Sequence, residues 1–392
     1  MSQTIYALDL GTTKFCLATK KKQLETVSVT AAGMLRGMLS DFDEAKETLC
    51  QLIQTAENEF GDDITKVYVG ISGSHLKNYS IEKTVPIPGP EVTEKIRKDL
   101  ESALISECIY PNREIIHTIP VAYYVDDRLV KNPVGFSADQ LKAQYFIVEA
   151  SKNYLRDMVK LCNQCGLEVV RFVAEPLASA KVSVTGDLKK IGVGVADIGG
   201  GTTDGVIYIH NEPVKVFTLN IGGELMTKDL AVGLGLGQDE AEKLKILWGI
   251  KFNQDEESIK IEIKNAVNQK IRVDSKQVFE ILEPRIDEWA HYLEKEIKPY
   301  LGQLSAGLVL TGGGAELLGL SSYLNHILKI HVQKQKPYFD GLSETEEIPT
   351  RFATVSGILK MSREEMAKDE ASSKRHSRNI FSPVMRWIKD FA

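Results

Sequence analysis

Asp197-Ile198-Gly199-Gly200-Gly201-Thr202-Thr203-Asp204 follows the apolar run Ile191 to Ala196 and precedes Val206-Ile207-Tyr208-Ile209. A glycine-rich turn between two such runs reads as strand, loop and strand. The same arrangement stands near the start of the chain. There Asp9-Leu10-Gly11-Thr12-Thr13-Lys14 follows Ile5-Tyr6-Ala7-Leu8, and beyond it Phe15, Leu17 and Thr19 alternate with Cys16, Ala18 and Lys20. A single glycine hairpin is most often only a tight turn. Two of them, each with an acidic start and paired threonines, point to one shared task.

Glycine lets backbone N–H groups turn inward and approach an anion closely, and threonine hydroxyls add donors. Gly11, Thr12, Thr13 and Lys14 in the first loop and Gly199, Gly200, Gly201, Thr202 and Thr203 in the second are therefore predicted to hold a phosphate chain. Asp9 and Asp197, at strand ends on opposite walls, are the predicted Mg²⁺ residues, reaching the ion through water. A third loop, Thr311-Gly312-Gly313-Gly314-Ala315, follows Leu308-Val309-Leu310 and precedes a helical pattern with Leu317, Leu320 and Leu324. Gly312, Gly313 and Gly314 are expected to pass beneath an adenosine, so the ligand expected between the jaws is Mg²⁺·ATP. The chain has no G-x-x-x-x-G-K-[ST] sequence and no G-x-G-x-x-G opening a helix after its first strand. Gly233-Leu234-Gly235-Leu236-Gly237, the nearest approach, reads as a loop.

With 392 residues, of which 43% are hydrophobic, the chain can build two or more ordinary domains. A net charge of −6 argues against broad nucleic-acid binding. No basic-then-apolar leader and no apolar stretch of bilayer length is evident, so a cytoplasmic protein is expected. Five cysteines without a regular framework suggest free thiols and no structural disulfide. Cys162-Asn163-Gln164-Cys165 resembles a redox or zinc pair, but lies in a helical pattern with Leu155, Met158 and Val159 and has no second pair to complete a metal site. It reads as small residues on a packed helix.

Ala45, Leu49, Leu52, Ile53, Ala56 and Phe60 recur at helical spacing over 41–60, and a strand follows at Lys66 to Ile71. Val85-Pro86-Ile87-Pro88-Gly89-Pro90 reads as a rigid connector into an inserted subdomain with its own helix around Ile96 to Leu104 and strands at Val121 to Val125 and Lys142 to Val148. Helices are predicted at about 152–165 and from Glu175-Pro176, with proline in its favoured first turn. A charged helix at Asp239 to Lys245 and a β-rich stretch at Lys260 to Val273 suggest a second insert within 222–285. Repetition of strand, loop, strand and helices predicts two related α/β halves closing on one cleft.

Residues 362–378 lack a clear apolar period and read as a solvated tether. Beyond it Ile380, Phe381, Val384, Trp387, Ile388 and Phe391 fall on one helical face, with Arg386 and Lys389 on the polar side. Ser382 and Pro383 suit the N-cap and first turn. From Lys374 onward five Lys and Arg residues stand against one Asp. Anionic headgroups add roughly 1 kcal/mol per basic residue near the surface, which favours in-plane binding to an anionic membrane. A terminal helix docked on the protein core is the competing reading.

With these motifs assembled, the chain resembles the actin-like ATPases, and within them the bacterial cell-division FtsA family. The loops at 9–14, 197–204 and 311–315 and the helix opening at 175–180 match the superfamily; Asn132-Pro133-Val134-Gly135, His117-Thr118-Ile119-Pro120 with Tyr123, and the terminal helix match FtsA. The resemblance implies an actin-like, ribonuclease H-like, two-lobed α/β fold with duplicated halves. Its expected divisions are a first lobe of 1–83 with 161–190 and about 350–361, an inserted small subdomain at 84–160, and a second lobe at 191–349. A linker at 362–378 and a membrane-targeting helix at 379–392 complete it.

The same resemblance implies a filament-forming protein that tethers FtsZ to the inner membrane's cytoplasmic face at the division septum. It would bind further divisome proteins, with the FtsZ tail docking around 222–285 and with ATP as a switch turned over slowly. Glu175 is the candidate for orienting a hydrolytic water, against a helix-capping role. Glu242 and Lys245 are candidates for the ribose or base, against a solvated helix face. Gly222-Gly223-Glu224 departs from the family, which often carries Asn or Asp after the paired glycines. A pilus-assembly relative and a small-molecule kinase of the superfamily are the alternatives; a chaperone would need a large peptide-binding domain that has no room here.

Overall fold

The computed structural model describes residues 4–108, 110–250, 258–340 and 347–373. Strands β1 (Tyr6–Leu10), β2 (Lys14–Lys20) and β3 (Leu24–Thr30) form an antiparallel meander. A two-residue pair, β4 (Met34–Leu35) and β5 (Met38–Leu39), leads into α1 (Phe42–Phe60). Asp41 caps α1 by accepting from the Asp43 and Glu44 N–H groups at 3.1 and 3.0 Å, and Gly61 ends it at φ 70°. Its predicted apolar stripe is buried on the sheet. β6 (Lys66–Ile71) then lies parallel beside β1.

The chain next departs into a separate four-stranded antiparallel sheet. β7 (Lys77–Pro86), helix α2 (Glu94–Glu107), β8 (Arg113–Val125), β9 (Arg128–Val130) and β10 (Gln140–Ser151) build it in the order β7-β10-β8-β9. The insert therefore begins before residue 84, because the whole of β7 pairs with β10, and Val85 and Pro86 belong to that strand. It ends before 160, because α3 (Lys152–Gln164) packs Leu155, Met158 and Cys162 into the core of the first lobe. His117 to Pro120 lie inside β8, and the register shifts beside Pro120. A proline cannot donate to the ladder, and the irregularity accommodates it.

β11 (Glu168–Ala174) completes the first sheet, ordered β11-β6-β1-β2-β3. Helix α4 (Glu175–Ser183), with Pro176 in its first turn, and the short α5 (Gly186–Ile191) lead into the second half. There β12 (Val193–Ile198), β13 (Thr203–Ile209) and β14 (Glu212–Leu219) repeat the antiparallel meander. Helices α6 (Gly223–Leu234) and α7 (Gln238–Trp248), the hairpin β15 (Lys260–Lys264) and β16 (Lys270–Asp274), and α8 (Ser275–Ile297) occupy the predicted second insert and run past it. β17 (Leu308–Thr311), α9 (Leu320–Leu328) and β18 (Val332–Lys334) close a sheet ordered β14-β13-β12-β17-β18. Each sheet is thus three antiparallel strands followed by two parallel ones, and the duplication is complete at the level of strand order.

The chain ends its described part in α10 (Ala353–Ser373), so residues 362–373 of the expected tether are helix instead. Glu364, Glu365, Met366, Ala367 and Lys368 are good helix formers, and Arg171 and Lys181 pair with Glu365 and Glu364. The rest of the linker and the whole terminal helix, including Ile380, Phe381, Val384, Arg386, Trp387, Ile388, Lys389 and Phe391, lie outside the described residues. The expectation of no disulfide is also corrected: Cys50 and Cys165 are bonded, with Cα atoms 5.5 Å apart. α1 and α3 lie side by side, which brings together two thiols 115 residues apart in sequence. Cys16, Cys108 and Cys162 are free and buried.

α4 and α10 pack on each other, α10 against the first sheet and α4 against both, and Gly357 is a point of close approach. A Cβ there would lie 1.8 Å from the Ala178 carbonyl oxygen. Gly357→Ala must push the helices apart and is expected to cost about 2–3 kcal/mol, as overpacking does. Urea unfolding checks it against Gly302→Ala, where nothing lies within 4 Å of the added carbon and the change stays within about 0.5 kcal/mol.

Candidate functional site

The β1–β2 and β12–β13 turns close in the same way. The Gly11 N–H donates to the Lys14 carbonyl at 3.1 Å, and the Gly199 N–H to the Thr202 carbonyl at 2.9 Å. The two turns face each other across a cleft. A Cβ on Gly200 would lie 2.0 Å from Thr13 Cγ2, and one on Gly201 would lie 2.3 Å from Thr12 Oγ1. Only glycine permits that approach, so the loops are matched as a pair. The third loop reaches the same cleft from the end of β17, with Gly312 at φ 84°. A Cβ on Gly312 would lie 2.1 Å from Asp197 Oδ1.

The walls carry Asp9, Gly11, Thr12, Thr13 and Lys14 from one side and Asp197, Gly199, Gly200, Gly201 and Thr202 from the other, with Glu175, Gly312 and Gly313 also lining the space. Thr203 stands behind its loop, donating to the Ile221 carbonyl at 2.7 Å and accepting from Trp289 Nε1 at 2.9 Å. Gly314 packs against Ile198. Glu242 and Lys245 stand one layer back from the lining. Lys245 Nζ lies 2.6 Å from Glu242, and donates to the Gly223 carbonyl at 3.0 Å and to Thr227 Oγ1 at 2.8 Å. The N–H groups of Gly223 and Glu224 in turn bond the Gly199 and Gly200 carbonyls at 3.0 and 2.9 Å. The pair knits α7 to the start of α6, and α6 to the second loop.

Sequence reasoning gave no role to Gly37, Ser72, Asp204, Arg351 or Thr354, which also line the cleft. Asp204 ends the second motif and pairs with Asp197 in register, where Cys16 pairs with Asp9 in the first. Thr354 donates to Asp197 Oδ2 at 2.8 Å from the start of α10, 157 residues away, where no local pattern foretells it. Thr202 and Thr218 donate to Asp204 at 2.9 and 2.6 Å.

Four acids thus share one cleft. Burial pushes Asp204 up to about 7 and Asp9 up to about 6, with Lys14 opposing the rise at Asp9 and Asp197 adding to it. Burial also raises Asp197, and raises Glu175 well above the carboxylate range with help from Asp9 and Asp204. Lys14 and Arg351 are the cations on the lining. Hard oxygen donors in excess of positive charge, beside backbone donors with no Cβ in the way, fit a phosphate chain with a divalent ion. Among the described residues no three His, Cys, Asp or Glu side chains converge tightly enough to hold a bare ion.

Duplicated sheets, facing loops and crossing helices define the actin-like class of ATPase fold. Its solved members include a PilM-PilN type IV pilus biogenesis complex (TM-score 0.64, 18% identity, 91% of this chain and 97% of that one) and MreB5 of Spiroplasma citri bound to ADP (0.59, 14%, 94% and 99%). A MamK double helical filament is similar too (0.58, 15%, 92% and 98%). Within that class, the family model "Cell division protein FtsA" matches residues 194–357, and "SHS2 domain inserted in FTSA" matches 73–149. The cell division protein FtsA of Neisseria meningitidis serogroup B is 30% identical over 371 residues, covering 91% of this chain and 89% of that one. That of Escherichia coli K12 is 28% identical over 377 residues, covering 92% and 88%. The chain belongs to the FtsA family of cell-division proteins.

The buried acids set a pH dependence whose sign is opposite to that of salt-bridged carboxylates. Unfolded, Asp9 and Asp204 titrate near 3.8; folded, near 6 and 7. Between those limits the folded chain binds more protons, so these groups stabilise it as pH falls from about 8 towards 4. In chelator-treated protein, Asp204→Asn is expected to raise stability at pH 8 and to flatten the slope of melting temperature between pH 8 and 5.5, by on the order of 2–4 kcal/mol. Parallel slopes in wild type and variant would contradict the assignment.

Proposed function

We propose that the chain binds Mg²⁺·ATP between its two lobes, assembles with copies of itself, and tethers FtsZ filaments to the cytoplasmic face of the membrane at the division septum. The observation that carries the nucleotide part is the facing of two glycine loops over a cluster of buried acids. Gly11 to Lys14 and Gly199 to Thr202 offer backbone and hydroxyl donors to phosphate oxygens, and Lys14 offsets charge. Asp9 and Asp197 hold the hydrated ion, which screens the phosphate charge when bound. Glu175 orients water at the γ-phosphate side, from the first residue of α4. Gly312 to Gly314 supply a wall without side chains for the nucleoside.

The membrane part rests on the sequence pattern of Ile380, Phe381, Val384, Trp387, Ile388 and Phe391, with Arg386 and Lys389 toward anionic headgroups. Among the described residues no helix is long and apolar enough to cross a membrane. FtsA membership supports FtsZ and later divisome proteins as partners over the pilus-assembly and kinase readings.

Isothermal calorimetry tests the clamp: Asp9→Asn and Asp197→Asn are each expected to weaken Mg²⁺·ATP binding at least about tenfold, near 1.4 kcal/mol. Unchanged affinity in both would remove the ion from those residues. For the tether, wild type should pellet with anionic liposomes and carry FtsZ down, whereas Trp387→Glu should leave both in the supernatant. Equal pelleting of the two proteins would make the terminal helix a docked one.

A further inference from the structure

Beside the apolar packing of Ile116, Phe146 and Val148, two side chains of the inserted sheet bond backbone of the lobes. Asn78 on β7 donates to the Val216 carbonyl at 2.6 Å and accepts from the Val216 N–H at 3.2 Å, fastening the insert to the outer strand of the second lobe. His117 on β8 accepts, at Nε2, the N–H of Ala174 at 2.9 Å. Ala174 is the N-cap of α4, and Glu175 is the helix's first residue.

That second bond has a specific structural job. α4 has no side-chain cap of its own. In a capping box the third helical residue reaches back to the N-cap N–H; in α4 that residue is Leu177, which carries no acceptor. His117 supplies the missing acceptor from a different sheet. Burial, with Arg171 nearby, holds the imidazole neutral, which keeps a lone pair on Nε2. The Glu175 side chain leaves this fixed point into a slot with no slack. A Cβ on Gly70 would lie 2.9 Å from Glu175 Oε1 and 2.5 Å from Ile358 Cδ1. Ser72, just beyond β6, stands beside the carboxyl and opposes the rise of its pKa.

We infer that His117 is a positioning residue: by holding the Ala174 N–H it sets the first turn of α4 and thereby where the Glu175 carboxyl stands in the cleft. The inserted sheet then reaches the first turn of α4 by this hydrogen bond. The catalytic side of this role rests on the reading of Glu175 given above; the hydrogen bond and its effect on the carboxyl do not.

The test uses the full chain and three variants. His117→Ala removes the acceptor, His117→Gln places an amide oxygen near the Nε2 position, and Asn78→Ala loosens the insert at its other attachment. Exchange of the Ala174 amide, read by NMR, should be about fivefold faster or more in His117→Ala, as loss of one net hydrogen bond of about 1 kcal/mol implies, and near wild type in the other two. The ¹³C-carboxyl titration of Glu175 should move toward the ordinary carboxylate range in His117→Ala only. ATP turnover should fall several-fold in kcat, with Mg²⁺·ATP affinity within about twofold and recovery in His117→Gln. Wild-type Ala174 exchange and Glu175 titration in His117→Ala would overturn the inference, as would equal effects from Asn78→Ala. If wild type binds no nucleotide, the functional reading fails, and the exchange and titration results still decide the role of His117.

Discussion

Everything in this molecule is arranged around the cost of keeping Asp9, Glu175, Asp197 and Asp204 together away from water. Each is raised chiefly by burial, and Asp9, Asp197 and Asp204 each worsen the position of at least one other. An uncompensated set of this kind is destabilising in itself. It persists because the surrounding sheets and helices are anchored by large apolar cores on both sides of the cleft. The same surplus of negative charge favours a divalent ion between two anion-binding turns. A cation bound among these acids would recover stability that the isolated chain gives up there.

The second constraint is steric. Gly200 and Gly201 meet Thr13 and Thr12, Gly312 meets Asp197, Gly70 meets Glu175, and Gly357 meets the Ala178 backbone. The Gly312 contact lies within the second lobe; the others join the lobes to each other, the first lobe to α4 and α10, or those helices to each other. A Cβ at any of them separates elements that must touch for the loops to face. Trp289 shows how far the support extends. It is 1% exposed, lies on α8, and fixes Thr203 from behind with its indole N–H. Helix α8 therefore contributes to the rigidity of the second glycine loop.

Much of this was legible locally. The strand–loop–strand pattern around Gly11 and Gly199, the stripe on α1 and the proline at the start of α4 are short-range signals, each encoded within one or two turns or one hairpin. What escaped the sequence was long-range. Thr354 reaches Asp197 across the fold, Cys165 finds Cys50 because two helices lie side by side, and β7 joins its sheet through pairing with a strand more than fifty residues on. Residues 362–373 illustrate the opposite failure. Their lack of an apolar period suggested a tether, but helix needs only continuation of an established turn, and Glu364 and Glu365 find basic partners on the first lobe. Glu242 and Lys245, which the family resemblance offers for the ribose or base, also tie α7 to α6 through Gly223 and Thr227.

The position of the insert follows from the same geometry. Its sheet begins directly after Ser72, a cleft residue, and ends directly before α3, which packs in the first lobe. Its β7 fastens to β14 of the second lobe through Asn78, and its β8 to the start of α4 through His117. A unit attached to both lobes and to the helix between them must follow any relative movement of the lobes or resist it. A contact that changed the placement of the insert would therefore be linked to the state of the cleft. Linkage is reciprocal: a nucleotide that favours one lobe arrangement favours one placement of the insert, and a partner that holds the insert favours one state of the cleft to the same extent.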